Sequence, residues 1–520
     1  MISNVTYMLD KTAERFNEKI AFKDGKKSVT FGALQRNAKA IATCIIKEGV
    51  VKEPIVVFLE KSVDVIISFM GIAYSCNFYS PIDVGMPVNR VNKILEILNP
   101  KIVITTKSGK DIFESYDYKG KFLIYEDMIG IRLDEQKIDA VRKRGIDTDL
   151  LYVLFTSGST GVPKGVTINH RSVIDYIDWV TRTFSISEID TFGNQAPFYF
   201  DNSILDIYTS IKTGATVNII PQNLFSKPIQ LLNYIKEEKI NNIFWVPSAL
   251  IDVANQKALE KVDLSDTLKR VLFCGEVMHN KQLNEWRKWL PNVIYANLYG
   301  PTEITDACTY YIIDREFKDD EPLPIGVPMS NTEIIVLNED DNLVSVDEIG
   351  ELCVRGTSLS MGYYNNPEKT KEAFVQNPLN QHVPEIIYRT GDLVKYNEYG
   401  EIIYISRKDF QIKHMGHRIE LGEIETAISS IEEIEINCCL YDDIKKMIIC
   451  IYVGNVEKSV IRKHLKDVIP RYMIPHKYIN INSMPLNANG KIDRIKLKNR
   501  FLDKNDKEIV NAESKENRME

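Results

Sequence analysis

The sequence predicts an α/β protein in two unequal parts. A large N-terminal domain is built of packed α/β subdomains plus a β-rich subdomain, and a small α+β C-terminal domain follows. Three observations carry this expectation. The chain has 520 residues, too many for one small module at roughly 100–200 residues per domain. From Ile55 to about Tyr295, short β-branched or aromatic runs alternate with segments of helical apolar spacing, the pattern of largely parallel sheets. After about Pro324 the texture changes to short strands and turns, and from Gln411 a compact α+β pattern begins.

The individual elements follow in order. The runs IVVFL, IVITT, FLIY, LYVLFT, VNII, IFWVP, VLFCG and VIYANLYG read as strands, because branched and aromatic side chains pack well on a pleated surface. Between them, Ile229, Leu232 and Ile235 recur at helical spacing. The stretch TEIIVLNEDDNLVSVDEIGELCVRG reads as strand, turn at NEDDN, strand, and DLVKYNEYGEIIYIS repeats the pattern. A helix with Ile424, Ile428 and Ile431 on one face precedes the strands INCCLY and MIICIYV. Alternation sends the adjacent Cys438 and Cys439 to opposite faces. From Asp503 to Glu520 charged and polar residues dominate, the composition of a solvated, disordered tail.

Composition excludes several function classes. With 44% hydrophobic residues the chain can build a large core. A net charge of −7 gives no general grip on nucleic acid or anionic lipid. Eight cysteines without a CxxC pair or zinc-site spacing suit a reduced cytosol better than a disulfide framework. The N-terminus shows no basic start followed by an apolar region. The longest apolar stretch, Val65 to Cys76, is too short to span a bilayer. A soluble cytoplasmic protein is expected, with no nucleic-acid partner and no membrane insertion.

The chemistry begins at LYVLFTSGSTGVPKGVTINH. An apolar strand runs into Thr156, Ser157, Gly158, Ser159, Thr160 and Gly161, followed by Pro163, Lys164 and Gly165. Small side chains, hydroxyls, free backbone N–H groups and one cation make a phosphate cradle. The spacing is not that of a Walker A loop. Further on, Tyr299 in NLYGPTE offers a ring face to a base, with Gly300 and Pro301 holding a tight turn. Glu303 offers a hard oxygen ligand for Mg²⁺ beside phosphates.

TSGSTGVPKG resembles the phosphate loop of the adenylate-forming ligases, which include acyl-CoA synthetases, luciferases and the amino-acid-activating domains of nonribosomal peptide synthetases. Matches in family order are FDNS at 200–203, CGE at 274–276, NLYGPTE at 297–303, GELCVRG at 350–356 and YRTGDL at 388–393. SRKDFQIKHMGHRIELGEIE at 406–425 and NANGKIDR at 487–494 complete eight matches in register, and SPID at 80–83 fits an earlier family motif. The family often has Gly where Ser406 stands, a change expected to be neutral at a strand end.

The resemblance implies ATP and Mg²⁺ as cofactors and assigns roles. Thr156, Ser157, Gly158, Ser159, Thr160, Gly161, Lys164, Gly275, Glu276, Asn297, Tyr299, Gly300, Asp392, Tyr404 and Arg407 would contact ATP, Asp392 through the ribose hydroxyls. Thr302, Glu303 and Lys491 would be catalytic, with Glu303 on the metal. Lysine suits its part, since a point charge on a flexible stem can bridge a substrate carboxylate and the α-phosphate. Residues 1–408 would form the adenylation core and 409–503 a mobile domain hinged at Asp409, with 504–520 a charged tail. Rotation about Asp409 would withdraw Lys491 and bring the Gly416 loop to the site.

Asp201 points to the substrate. In amino-acid-activating relatives the matching Asp pairs with the α-ammonium, and a carboxylate at a pocket is costly unless paired. The alternative is a cap for the helix starting near Ser203. The pocket would be lined by Asp201, Asn202, Leu205, Trp245, Leu272, Cys274, Leu298, Asp306 and Ala307. NQAPFYFDNSILDIYTS and FCGE look closest to stand-alone D-alanine–carrier protein ligases. Asn202 and Asp306 depart from that pattern, standing where apolar residues are expected. D-Alanine or another small or polar amino acid is therefore expected. Asp306 either lines the pocket and needs a polar partner, or turns away to cap backbone. No HHxxxDG motif is present and no phosphopantetheine site follows Arg494, so the thiol acceptor is expected on a separate carrier protein. Two rivals stay open: an acid–CoA ligase of the same superfamily, and a nucleotide-binding regulator that has lost catalysis.

Overall fold

The computed structural model describes residues 3–158, 161–319, 321–486 and 492–502. Ser159, Thr160, Lys491 and the charged tail 504–520 lie outside the described residues.

The eight apolar runs of the N-terminal part all become strands, sorted into two sheets. One is six-stranded, in the order Lys121–Ile124, Ile102–Thr105, Pro54–Phe58, Phe78–Pro81, Leu150–Thr156, Lys164–Asn169. It is parallel until the last pair, which is antiparallel. The phosphate-loop motif therefore joins two strands of a hairpin, and helix His170–Thr183 begins only after the second. An anion held at this motif would therefore meet loop backbone N–H groups rather than a helix dipole.

The second sheet has nine strands. Its inner members Ile20–Lys23, Thr216–Ile219, Thr191–Asn194, Asn242–Trp245, Arg270–Phe273 and Ile294–Tyr299 run parallel, and antiparallel strands close both edges. Segments carrying Cys274 to Glu276 and Gly300 to Glu303 leave the C-terminal ends of these strands. Ligands of open α/β sheets collect at that edge.

A five-stranded antiparallel sheet supplies the β-rich part, with Gly350–Gly356 between Thr332–Leu337 and Ile386–Tyr396. The strand expected straight after NEDDN starts later, at Gly350; residues 343–349 contribute only a bridge between Leu337 and Leu343. Strand Ile402–Arg407 pairs with Ile386–Tyr396 so that Asp392 sits opposite Arg407.

The C-terminal part has cores of its own. Hairpin Gln411–His414 with His417–Glu420 leads to helix Leu421–Ser429 and a sheet of Ile434–Asp442, Met447–Gly454 and Lys477–Asn480. One face packs Cys439, Tyr441 and Cys450 against Ile424, Ile428 and Leu465. The other packs Cys438, Leu440 and Ile451 with Leu497. The adjacent cysteines face opposite ways, as alternation requires. Helix Pro228–Glu237 buries Leu231, Leu232 and Ile235 but leaves Ile229 46% exposed, so its buried stripe is one residue rotated from the expected one. No described helix is long and apolar enough to cross a membrane.

Candidate active site

The two parts meet over the strand ends. Arg90 and Glu423 form a buried ion pair across the junction, and Lys93 Nζ donates to the Gly161 carbonyl at 2.7 Å. The hairpin turn at Met415 and Gly416 lies against the larger part: a Cβ on Gly416 would come within 2.6 Å of Val246 Cγ1. His417 stacks on Tyr472 with ring centroids 3.6 Å apart and meets Phe200 edge-on.

At the phosphate end, Ser157 Oγ donates to the Arg418 carbonyl at 2.7 Å and accepts from the Glu420 N–H at 3.2 Å. Lys164 lies 3.9 Å from the Glu420 carboxylate and 5.4 Å from the centre of the Tyr363 ring. Burial lowers its ammonium below the usual lysine range. Glu303 is wholly buried, with Oε1 accepting from Tyr363 OH at 2.7 Å and Oε2 from Arg418 at 2.5 Å. Burial pushes this carboxyl up, but Arg418, Lys164 and the Tyr363 hydroxyl outweigh it and hold it at about 2. It is an anion at any working pH. A single hard carboxylate of this kind fits Mg²⁺, whose remaining ligands are commonly waters and substrate phosphates; among the described residues no cluster of three or more metal-ligating side chains occurs.

The ribose-type residues form one network. Asp392 Oδ1 accepts from Arg407 at 2.9 Å and Oδ2 accepts from Tyr299 OH. Arg407 also clasps Asp409 through two contacts of 2.7 Å, and donates to the Thr390 carbonyl. The expected hinge residue is thereby fixed to the strand it follows. Tyr404 lies on that same strand, its hydroxyl pushed up by burial. Lys413 Nζ stands 5.2 Å over the Tyr299 ring. Asn297 Nδ2 donates to the Pro324 carbonyl, and Glu276 accepts the Ser248 N–H at the start of its helix.

At the amino-acid end, Leu205, Leu272, Cys274, Leu298 and Ala307 share one buried cluster. Trp245 does not join them. In strand Asn242–Trp245 it is Phe244 that pairs with Leu272 and faces that cluster, so alternation turns Trp245 to the opposite face. There its indole donates to the Gly193 carbonyl at 2.8 Å and packs on Phe225. The expectation that its side chain lines the pocket is thus corrected. Asp201 accepts the Asn202 N–H at 3.0 Å, and no side-chain cap secures helix Ser203–Thr213; the capping alternative is not what forms. Burial raises the Asp201 carboxyl, against hydrogen bonding from Thr302 and Asn202. Asp306 does not cap backbone either: its Oδ2 accepts from Tyr176 OH at 2.7 Å.

Several participants were not assigned from sequence. Arg418 stands inside a quoted motif, and the buried carboxylate it meets was the available signal. Tyr363 and Tyr176 gave none, since Tyr176 reads as one more apolar position of its helix, with Val173, Ile177 and Val180.

Hydroxyl-bearing Ser157 with Lys164, the Asp392–Arg407–Tyr299 network and the buried Glu303 carboxylate lie under a small α+β part, near the C-terminal edge of an α/β sheet. Similarity to known proteins gives the class, an adenylate-forming ligase. Residues 9–364 match the AMP-binding enzyme family. The D-alanine–D-alanyl carrier protein ligase of Bacillus cytotoxicus is 32% identical, over 94% of this chain and 98% of its own length. Tyrocidine synthase 1 of Brevibacillus parabrevis is 30% identical over 94% of this chain, which spans only 44% of that protein. A double mutant of o-succinylbenzoate CoA synthetase from Bacillus subtilis shares the fold, with a TM-score of 0.82 at 19% identity over 96% of this chain and 98% of that one. The chain belongs to the AMP-binding enzyme family, whose members use ATP with Mg²⁺.

Proposed function

We propose that the chain activates an amino acid, D-alanine or another small or polar one, and passes it to the phosphopantetheine thiol of a separate carrier protein. In the first step the substrate carboxylate attacks the α-phosphorus of ATP, the α–β phosphoanhydride bond breaks and pyrophosphate leaves. In the second the thiol attacks the acyl carbon, AMP leaves and the thiol proton goes to solvent. The observation that carries the amino-acid reading is Asp201, a half-buried, desolvated carboxylate that forms no ion pair among the described residues, although Lys413 attracts it from further off. An α-ammonium satisfies it, and a plain carboxylic acid does not. The carrier reading is supported by similarity to a carrier protein ligase matched over almost its whole length.

The chain's own groups divide the work. Lys164 and the 156–161 backbone hold phosphate, Asp392 and Arg407 the ribose, and Tyr299 the base. Thr302 and Glu303 adjoin the reacting phosphate, where Mg²⁺ on Glu303 would neutralise charge. Lys491 would contact the carboxylate and α-phosphate during adenylation. Residues 1–408 and 409–503 are the two working units, pivoting at Asp409. The docked hairpin around Gly416 supports the thioester-forming arrangement, in which Arg418 takes the Glu303 carboxylate. The setting is cytoplasmic, where ATP and carrier protein coexist.

The test is ATP–pyrophosphate exchange over L- and D-amino acids and their desamino analogues, followed by acyl transfer to carrier protein or free CoA. Exchange with amino acids only, and transfer to carrier protein, is expected. Equal exchange with desamino acids would replace this reading by an ordinary acid–CoA ligase, and no exchange at all by a silent nucleotide-binding protein.

A further inference from the structure

The amino-acid end of the site carries more acid than one α-ammonium can satisfy. Asp306 is 1% exposed. Its Oδ2 takes the single O–H of Tyr176, and its Oδ1 has no hydrogen-bond partner. Asp201 lies close enough for the two carboxyls to repel. Among the described residues no lysine or arginine makes an ion pair with either. Lys413 attracts the Asp201 carboxyl without forming an ion pair with it, and the half-buried Lys61 acts on Asp206 and donates to the Gln195 carbonyl at 3.0 Å. Two further buried donors stand unpaired in the same neighbourhood, Asn202 Nδ2 and Tyr152 OH.

The carboxyl is also held where it is at a conformational cost. Thr305 and Asp306 both have positive φ, 62° and 76°, a region non-glycine residues avoid. The turn packs on Gly300, where a Cβ would stand 2.5 Å from the Asp306 carbonyl oxygen. An orphaned buried acceptor is costly to retain, and here the backbone is bent to hold it close to Cys274 and Asp201, while Leu205, Leu272, Cys274 and Leu298 belong to the apolar core of this part. Burial and then the Asp201 charge raise the Asp306 carboxyl well above 3.8. A hydroxyl can pair with the neutral acid, and an ammonium with its ionised form.

On the reading that this site takes an amino acid, we propose that the substrate side chain is short and ends in a hydrogen-bond donor, hydroxyl or ammonium, which meets Asp306 Oδ1. Tyr176 is the positioning residue: by occupying Oδ2 it leaves Oδ1 to the substrate. Alanine would leave that oxygen unpaired, and a long or aromatic side chain would collide with the leucines before reaching it.

The experiment is ATP–pyrophosphate exchange with pairs of equal size that differ in the donor. Serine is set against 2-aminobutyrate, and 2,4-diaminobutyrate against norvaline, each in both configurations, with alanine as reference. The donor-bearing member of at least one pair is expected to exceed its apolar partner about tenfold or more in kcat/KM, and which pair does so tells hydroxyl from ammonium. Asp306→Val should abolish that ratio, and Asp306→Asn should keep a hydroxyl preference but lose an ammonium one. Tyr176→Phe should raise KM for the donor-bearing acid more than for its apolar partner, whereas a merely structural role would move both alike. Alanine or 2-aminobutyrate as the best substrate of the unaltered enzyme overturns this inference and leaves the amino-acid reading standing. Equal use of desamino acids overturns the amino-acid reading itself. The unaltered enzyme alone decides between these, should a variant fail to fold.

Discussion

Glu303 and Asp306 stand three residues apart on one turn, 0% and 1% exposed, and titrate in opposite directions. Glu303 is held at about 2, while Asp306 is raised well above 3.8. Burial is the first cause for both and pushes both upward. The difference lies in the partners: Arg418, Lys164 and Tyr363 surround Glu303, whereas Asp306 has Tyr176 on one oxygen and the like charge of Asp201 nearby. The comparison teaches that Glu303 is electrostatically complete in this arrangement, whereas Asp306 keeps one oxygen unpaired, which the proposed substrate would fill. It also explains how the small part docks. Arg418 belongs to that part, so under the proposed pivot at Asp409 the cation that satisfies Glu303 would leave with it, and the carboxylate would be free to hold Mg²⁺.

The largest expected effect comes from removing the cation proposed for the other arrangement. Lys491→Ala should slow adenylation by roughly 10²–10³, read as pyrophosphate exchange, and spare transfer from preformed aminoacyl-adenylate. Equal loss in both steps would show that one arrangement serves both.

Arg418→Ala breaks the completed end directly. Removing one partner of a buried pair costs about 3–5 kcal/mol, less here because Lys164 also faces Glu303, so transfer should fall roughly thirtyfold while adenylation changes little. The pH dependence sharpens the point. A carboxyl whose value is lowered from 4.5 to about 2 adds stability that is full above about pH 4.5 and is lost as pH falls through about 2. In Arg418→Ala that loss should begin at higher pH, measurable by thermal unfolding between pH 6 and 3. An unchanged profile would mean the pair does not hold the docked form.

A smaller effect is expected at the turn that touches the larger part. Gly416 has φ +78° and no room for a Cβ against Val246. Gly416→Ala should cost about 1–3 kcal/mol in docking and slow transfer about tenfold, and Val246→Ala in the same chain should recover part of it. Recovery would be missing if the backbone angle alone were responsible.

The smallest effect on function belongs to Trp245. Trp245→Phe removes one indole–carbonyl hydrogen bond, worth about 1 kcal/mol, and should lower the melting temperature while leaving substrate ranking unchanged. A changed ranking would put the side chain back on the pocket side.

Much of this was legible without coordinates. The strand runs, the two cysteines on opposite faces and the phosphate-loop turn follow from spacing and residue type, which are local properties. The order of motifs identified the superfamily because eight matches in register are far more specific than any one of them. What spacing could not give was side-chain direction at a strand's last residue. Trp245 sits one position from Phe244, and only the pairing of Phe244 with Leu272 tells which of the two faces the pocket. The helix at 228–237 failed in the same way by one residue, since its packing partners, not its own period, choose the buried stripe.

By itself, then, the sequence determined the elements, their class and the chemical types gathered at the site, because these depend on neighbours along the chain. Tertiary structure decided which carboxylate is paired. Glu303 meets Arg418 across 115 positions and Asp306 meets Tyr176 across 130, and no local pattern encodes such distances. The state of a buried charge is set by whatever the fold brings within hydrogen-bonding reach, so one acid on this turn is a ready anion and the other keeps an oxygen without a hydrogen-bond partner.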